Sequence, residues 1–485
     1  MRNAFLSLLA VVSAGLLHAQ APAQEPAAGL APGQGLPAQS PAETSSLVQP
    51  PAQASEQAGP PALALEAATD RSIYLSNASN SVYVEARIGP VAVPAEAAAA
   101  VRNVALVLDR SGSMADEPIR ALRQAVAATL GMLAPHDIVS VVLFGSEVET
   151  LVTAQRRDEI GDLDALLARI EPAGGAALYD ALNQGAAQLR RKAGSAALNH
   201  LVLVTDGPAT KGPRERDDFT RLAELFAREG ITLSTVGLGG DCEEDLLVAL
   251  ARSGNGRFHY AASPGDLETE LRAEFWLLRA PVAQDVVLTV EFGYGCAEIE
   301  PLGWAPATVD DRTVTYRFPA LCAGQEVGVL VSAKLTTQGP AAKAATVRLR
   351  WRDVGTGTER TVSRRLSVFF DNDSRSSRKS VNPGVMRAAV GAVISEGMQH
   401  AIEELDKGDF RRAQRELRRA RTEANYINYE LNDEGIAARV RVLETYLNEV
   451  ESRGLNLLDR KLLRSGLHNQ FDIPQADEKD AAASR

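Results

Sequence analysis

Three oxygen-bearing side chains stand at alternate positions in one short stretch of this sequence: Asp109, Ser111 and Ser113. The stretch follows the apolar run 104–108, which is typical of a strand buried on both faces. A helical pattern comes next, so the three side chains are expected where a central strand turns into a helix. Carboxylate and hydroxyl oxygens are the donors that Mg²⁺ or Ca²⁺ takes. The alternative is structural, with Ser113 or Asp116 capping the helix and Gly112 making the turn.

A second carboxylate, Asp206, follows another apolar run at 201–204. Between the two acids lies a glycine-rich loop, Gly174-Gly175-Ala176, which opens a further helical pattern. In open α/β sheets, ligands bind at the edge formed by the carboxyl ends of the strands. We therefore expect Asp206 to lie beside the first acid at that edge. A loop ending in Asp241 follows another strand pattern and is expected to rim the same edge, with Asp241 as a helix cap.

The Asp-x-Ser-x-Ser stretch, the glycine-rich loop and Thr-Asp-Gly, in this order, resemble the von Willebrand factor type A (VWA) domain and its metal-ion-dependent adhesion site. The resemblance covers roughly residues 102–278. It implies that Ser111 and Ser113 hold a metal directly. It also implies that Asp109 and Asp206 act largely through water.

The same resemblance implies a divalent cation, with Mg²⁺ first and Ca²⁺ or Mn²⁺ as alternatives. One open coordination position would take an acidic side chain from a partner protein. The threonine that completes the family's site falls on Ala176, which has no hydroxyl. We expect this departure to weaken the metal site without abolishing it, and Ala176→Thr to tighten it. Asp109→Ala is expected to remove metal binding and to leave the fold intact, because the site lies at a surface edge.

The predicted fold class is α/β: a doubly wound, Rossmann-like VWA domain inserted in or flanked by a β-sandwich, with a C-terminal α-helical region. Bacterial exported proteins of this layout resemble the inter-alpha-trypsin inhibitor heavy chain. The predicted boundaries are a signal peptide at 1–19, a disordered Ala/Pro-rich tether at 20–68, N-terminal sandwich strands at 69–100, the VWA domain at 101–280, the β-sandwich at 281–371, a linker at 372–383, a helical region at 384–471 and a disordered tail at 472–485.

Alternating strand and helix patterns predict the elements of the α/β domain. The predicted strands are 103–108, 138–144, 147–152, 201–204, 232–238 and 257–260, and the predicted helices are 118–133, 158–170, 178–192, 216–229, 243–252 and 265–277. After Pro281 the period of two predicts sandwich strands. The amphipathic segment Tyr74–Ile88 is expected to pair with strands of the 286–370 region, because an orphan strand would expose its edge.

Composition limits the remaining possibilities. The net charge of −11 argues against general nucleic-acid binding. A basic residue and an apolar run at 4–17 indicate a signal peptide and export to the periplasm or beyond. The alternative is that this segment is retained as an N-terminal anchor. No other apolar run in the sequence is long enough to span a membrane. In an exported protein Cys296 and Cys322 are expected to form a disulfide, leaving Cys242 unbridged.

No catalytic arrangement stands out, so we expect a protein that is not an enzyme. Two other classes stay open: a metal-free structural scaffold with a vestigial site, and a metal-assisted hydrolase, for which the sequence nominates no base. The six arginines between 411 and 421 are either a solvated helix face or a binding patch.

Overall fold

The computed structural model describes residues 63–452, apart from 77, 91–99, 196–197, 279, 304 and 337–338, together with residues 472–474. The predicted signal peptide, the tether up to residue 62, residues 453–471 of the helical region and the tail after 474 lie outside the described residues. In the described part of the chain, no helix is long and apolar enough to cross a membrane.

The elements follow one another in a β, α/β, β, α order. The strands are β1 (Leu63–Thr69), β2 (Ile73–Leu75), β3 (Asn80–Pro90), β4 (Arg102–Asp109), β5 (Ile138–Phe144), β6 (Val148–Arg156), β7 (Leu198–Thr205), β8 (Ile231–Leu238), β9 (Asn255–Ala261), β10 (Pro281–Phe292), β11 (Cys296–Leu302), β12 (Ala307–Asp310), β13 (Thr313–Cys322), β14 (Gln325–Leu335), β15 (Ala341–Asp353), β16 (Glu359–Asp371) and β17 (Asp472–Pro474). The helices are α1 (Glu117–Leu130), α2 (Leu163–Ala168), α3 (Leu178–Arg190), α4 (Arg216–Arg228), α5 (Glu244–Ser253), α6 (Leu267–Leu277), α7 (Ser374–Lys379), α8 (Pro383–Asp406), α9 (Phe410–Leu431) and α10 (Glu434–Ser452).

The α/β domain is built on a six-stranded sheet of order β6-β5-β4-β7-β8-β9. All pairs are parallel except β5–β6, which is an antiparallel hairpin at the edge. Every residue of β4, β5 and β8 is buried, because helices cover both faces. One apolar cluster joins the sheet to α1 and α6, and another joins it to α3, α4 and α5. The doubly wound prediction is confirmed.

Two local predictions in this domain are wrong. The helix expected over 158–170 is only α2, because Gly161 interrupts the pattern and the Asp162 carboxylate caps a later start by accepting from the Ala165 N–H. Asp241 does not cap the next helix, since Glu243 holds that position.

The remaining strands form two sheets that share one apolar core. One has the order β1-β3-β14-β11, with β17 added to β14, and the other has the order β12-β13-β10-β15-β16-β2. The expected pairing of Tyr74–Ile88 is confirmed: Ile88 pairs with Val327, and Tyr74 pairs with Phe370. The α/β domain is thus inserted between β3 and β10.

Three segments differ from the predicted boundaries. The tether was expected to reach residue 68, but 63–69 forms β1, which pairs with β3 over its whole length. The expected linker contains α7, which Asp373 caps by accepting from the Arg375 N–H. The expected tail contributes the three residues of β17 to the sheet.

The predicted Cys296–Cys322 disulfide is wrong. Cys322 pairs with Pro281 at the start of β10, whereas the Cys296 N–H donates to Gly293 just beyond its end. The length of β10 therefore separates the two sulfurs by on the order of 30 Å. All three cysteines are buried and unbridged.

The helical region packs α9 against α8 and α10 around a common apolar cluster. Helix α8 also lies on the sheet that contains β3 and β14, through Val385 and Ala389 against Leu330. The helical region therefore has its own apolar core and also packs against one of the two sheets.

Candidate metal-binding site

Asp109 and Asp206 come from neighbouring strands, as the sequence predicted. Asp109 is the last residue of β4, and Asp206 follows the end of β7, which pairs with β4 in parallel. The chain then turns through a short 3₁₀ helix at Gly112–Met114 before α1 begins. The four predicted site residues are therefore at one sheet edge.

A chain of polar contacts links these residues. The hydroxyl oxygens of Ser111 and Ser113 are 3.0 Å apart, and the Ser113 hydroxyl donates to Asp206 Oδ1 at 2.9 Å. The Ser111 N–H donates to Asp109 Oδ1 at 2.7 Å. On its other oxygen, Asp109 accepts from the Thr205 hydroxyl at 2.5 Å. Side chains 93 positions apart in sequence thus form one connected set.

Asp109 is fully buried, with no exposed surface. The expectation that Asp109→Ala leaves the fold intact was based on a surface position, and the structure contradicts that basis. Removing this carboxylate leaves the Ser111 N–H without its acceptor, at a cost of ~1–3 kcal/mol, while the Thr205 hydroxyl keeps Gly207 O, at 3.2 Å, as an acceptor.

The glycine-rich loop is held against the first loop by its backbone. The Gly112 N–H donates to Gly174 O at 2.8 Å, and the Ala173 N–H donates to Arg110 O at 2.6 Å. Gly174 has a φ of +68°, and a Cβ there would lie 2.1 Å from the Ser146 hydroxyl oxygen, so glycine is required. The loop is therefore fixed close to Ser111 and Ser113.

Ala176, the position of the missing threonine, is buried at 3% exposure within the apolar cluster below the loop. Its N–H donates to the Thr210 hydroxyl at 2.6 Å, and its carbonyl accepts from the N–H groups of Thr210 and Lys211. The backbone around Ala176 is therefore well fixed. A larger side chain here would have to fit among packed neighbours.

The electrostatics of the site favour a cation. Burial raises the pKa of Asp109 to about 6, although hydrogen bonds from Thr205 and Ser111 lower it. Burial also raises the pKa of Asp206, against the hydrogen bond from Ser113, and the charge of nearby Asp241 raises it further. These ionised carboxylates are thus poorly compensated by the protein, and a divalent cation would stabilise them. Asp241 is in the loop that follows β8, the neighbour of β7, and its charge acts on Asp206.

The spacing of the oxygens also fits a small cation. Mg²⁺ binds oxygens octahedrally at about 2.1 Å, which puts neighbouring ligand oxygens ~3.0 Å apart. The Ser111–Ser113 and Ser113–Asp206 oxygen pairs have this separation, at 3.0 and 2.9 Å. Within the described ranges, no group of three or more His, Cys, Asp or Glu side chains is placed to hold a metal. A cation at this edge would therefore depend on the serine hydroxyls.

Sequence reasoning gave no role to Thr205 or Thr210. Thr205 orients the buried carboxylate of Asp109, and Thr210 fixes the backbone of Ala176. The signal for Thr205 was present, because it stands directly before Asp206 in the Thr-Asp-Gly motif. Nothing in the sequence marked Thr210, whose contact depends on how two loops meet.

Comparison with known proteins identifies the domain. Residues 103–273 match the family model of the von Willebrand factor type A domain. Inter-alpha-trypsin inhibitor heavy chain H1 of Sus scrofa is 27% identical over 195 residues, which are 39% of this chain and 22% of that protein. The uncharacterized protein YfbK of Escherichia coli is 26% identical over 196 residues, again 39% of this chain and 33% of that protein. The match thus spans a third or less of these relatives.

A solved structure extends the likeness in fold. The ArnB paralog VWA2 from Sulfolobus acidocaldarius superimposes with a TM-score of 0.60 at 16% identity, covering 85% of this chain and 98% of that one. At this identity the likeness concerns the fold alone. VWA domains are often metal-dependent protein-interaction modules, and they commonly bind a divalent cation at the adhesion site. The sheet topology and the family match agree, and residues 103–273 of this chain are therefore a von Willebrand factor type A domain.

Proposed function

We propose that this chain is an exported, metal-dependent protein-binding module, adhesin-like or scaffold-like, that captures an acidic side chain of a partner protein. The observation that carries the proposal is the set of three oxygens, from Ser111, Ser113 and Asp206, spaced at 2.9–3.0 Å along one sheet edge. Mg²⁺ is the cation proposed first, with Ca²⁺ or Mn²⁺ as alternatives. When bound, the cation supplies an open position for a carboxylate.

The residues divide into two roles. The Ser111 and Ser113 hydroxyls would hold the cation directly. Asp109 and Asp206 would contact the cation through water, or would change to binding it directly. Their negative charge would attract the cation to the edge. With few charged direct ligands, the cation keeps enough positive charge to attract a carboxylate from a partner. At Ala176 a water would take the place of the missing hydroxyl, so affinity is expected to be weak until the partner binds.

A metal-free scaffold is the second candidate, and two observations favour it. Ala176 removes one ligand that the family's site uses. The Ser111–Ser113–Asp206 contacts also form a complete hydrogen-bond chain that needs no cation to be satisfied. In that case the site would hold the loops together and bind no partner.

We also propose that the chain is not an enzyme and that it acts in the periplasm or outside the cell. Capture of a carboxylate requires no general base, whereas metal-assisted hydrolysis does. Export is inferred from the signal-peptide pattern of residues 1–19.

Partner capture tests the proposal. The immobilised full chain is incubated with an envelope extract in Mg²⁺ or in chelator, beside the Ser113→Ala variant and the control Ser363→Ala, which alters an exposed serine on β16. We expect a protein that is retained in Mg²⁺ by the wild type and the control and is lost with chelator or Ser113→Ala. If the same amount of partner protein is retained with chelator and by Ser113→Ala, capture does not depend on the metal and the proposal is contradicted.

A further inference from the structure

Helix α9 carries a straight row of exposed side chains opposite its buried stripe. The buried stripe consists of Ala413, Leu417, Ala420, Ala424 and Ile427. The row, here called the arginine–tyrosine row, consists of Arg411, Arg415, Arg418, Thr422, Tyr426 and Tyr429, all exposed. Steps of three and four residues place its members one above another on a helix. The row therefore points away from the packed helices over about 27 Å, at 1.5 Å per residue.

The charge of this row opposes that of the chain as a whole. The chain carries a net charge of −11, yet the row holds three arginines and no acid. Beside it, Arg412 pairs with Glu404 and Asp409. Among the described residues, Arg411 and Arg415 have no carboxylate within ion-pair distance. Arg411 and Arg415 thus give this face of the helix a local positive charge.

Aromatic side chains extend the same surface. Tyr426 and Tyr429 are 71% and 89% exposed. Large exposed aromatics are unusual on a solvated helix face, where they gain nothing from burial. Arginine and tyrosine together are typical of surfaces that meet the headgroup layer of a membrane.

We infer that the arginine–tyrosine row is a docking surface for an anionic phospholipid bilayer. The guanidinium groups would contact lipid phosphates, and the tyrosine rings would lie at the level of the headgroups. A convex helix face with its charges in one line suits a flat anionic surface, whereas an acidic protein would need a matching groove. This inference is independent of the proposed metal site, which lies on another domain.

Flotation of the full chain with lipid vesicles tests this inference. Vesicles of phosphatidylglycerol mixed with phosphatidylcholine are compared with vesicles of phosphatidylcholine alone. The triple variant Arg411→Ala, Arg415→Ala, Arg418→Ala removes the row's charge and keeps a good helix former. A matched control, Arg317→Ala, Arg348→Ala, Arg365→Ala, removes three exposed arginines from β13, β15 and β16. Circular dichroism checks that both variants fold.

We expect the wild type to float only with the anionic vesicles and to be released by salt. The row variant should lose ~100-fold in partition coefficient, and the control should lose little. Tyr426→Ser with Tyr429→Ser should weaken binding without changing its salt dependence. Absence of flotation at low salt, equal losses in both arginine variants, or binding to an acidic protein but not to vesicles would overturn the inference.

Discussion

The hydroxyl oxygen of Ser113 lies 2.9 Å from Oδ1 of Asp206, although 93 positions separate the two residues. The contact exists because β4 and β7 are parallel neighbours whose ends meet at one edge of the sheet. It brings the oxygens of the Asp-x-Ser-x-Ser stretch and of Thr-Asp-Gly into one set. The proposed function follows from that juxtaposition, and the variants below test its parts.

Restoring a hydroxyl at residue 176 is expected to tighten cation binding. Ala176→Ser adds one oxygen at a position whose backbone is fixed by Thr210, so the gain should appear as a higher Mg²⁺ affinity in calorimetry. Ala176→Thr adds a methyl group as well, in a packed region, and should lose ~1–3 kcal/mol of stability beside its gain in affinity. Ala177→Ser, at the next residue, is the control. Unchanged affinity in Ala176→Ser would mean that this position does not face the cation.

The Thr205 hydroxyl is expected to stabilise the fold through Asp109. Thr205→Val keeps the shape of the side chain and removes the donor to a fully buried carboxylate. We expect a loss of ~1–3 kcal/mol in the free energy of unfolding, measured in urea. Thr361→Val, on the exposed side of β16, should change it little. If both variants lose equally, the contact with Asp109 contributes nothing specific.

A buried ionic cluster below the α/β sheet is expected to make stability depend on pH. Glu274 on α6 is fully buried and lies 2.9 Å from His259 and 2.8 Å from His200, and it accepts from the Ser234 hydroxyl. Burial lowers the pKa of His259, but its contacts with Glu270 and Glu274 raise it to about 9. The pKa of Glu274 stays well below its ordinary value, since these contacts outweigh burial.

The sign of the pH dependence follows from these two shifts. The raised pKa of His259 gives stability that is fully present below 6.5, its ordinary pKa, and is lost as the pH rises towards 9. The lowered pKa of Glu274 gives stability above 4.5 that is lost in acid. Unfolding free energies should therefore fall between about pH 6.5 and 9. Glu274→Gln should cost ~3–5 kcal/mol at pH 6.5 and flatten this slope. A wild-type stability that is constant over this window would rule out a charged His259.

Much of the α/β domain was predictable because its signals are local. An apolar run such as 104–108 marks a strand covered on both faces, and a polar motif at its end marks the ligand edge. Asp109, Ser111, Ser113 and Asp206 could be placed together for this reason. Their burial could not, since it depends on Thr205 and on the loops that cover the edge.

The errors arose where structure depends on distant partners. β1 lies within an Ala-rich segment and is a strand only because β3 pairs along its full length. The cysteine prediction used proximity to strand ends, but Cys296 and Cys322 lie near opposite ends of β10. For the cysteines, sequence patterns indicated the strands without giving their order in the sheets, and for β1 they indicated no strand at all.

Calorimetric titration of Mg²⁺ into the full chain tests the central claim most directly, with Ser113→Ala as the variant and Ser363→Ala as the control. The account predicts weak but measurable binding by the wild type and the control, and at least a ~10-fold loss of affinity in Ser113→Ala. Equal affinity in all three proteins, or heats no larger than those of dilution, would show that this edge is not a metal site.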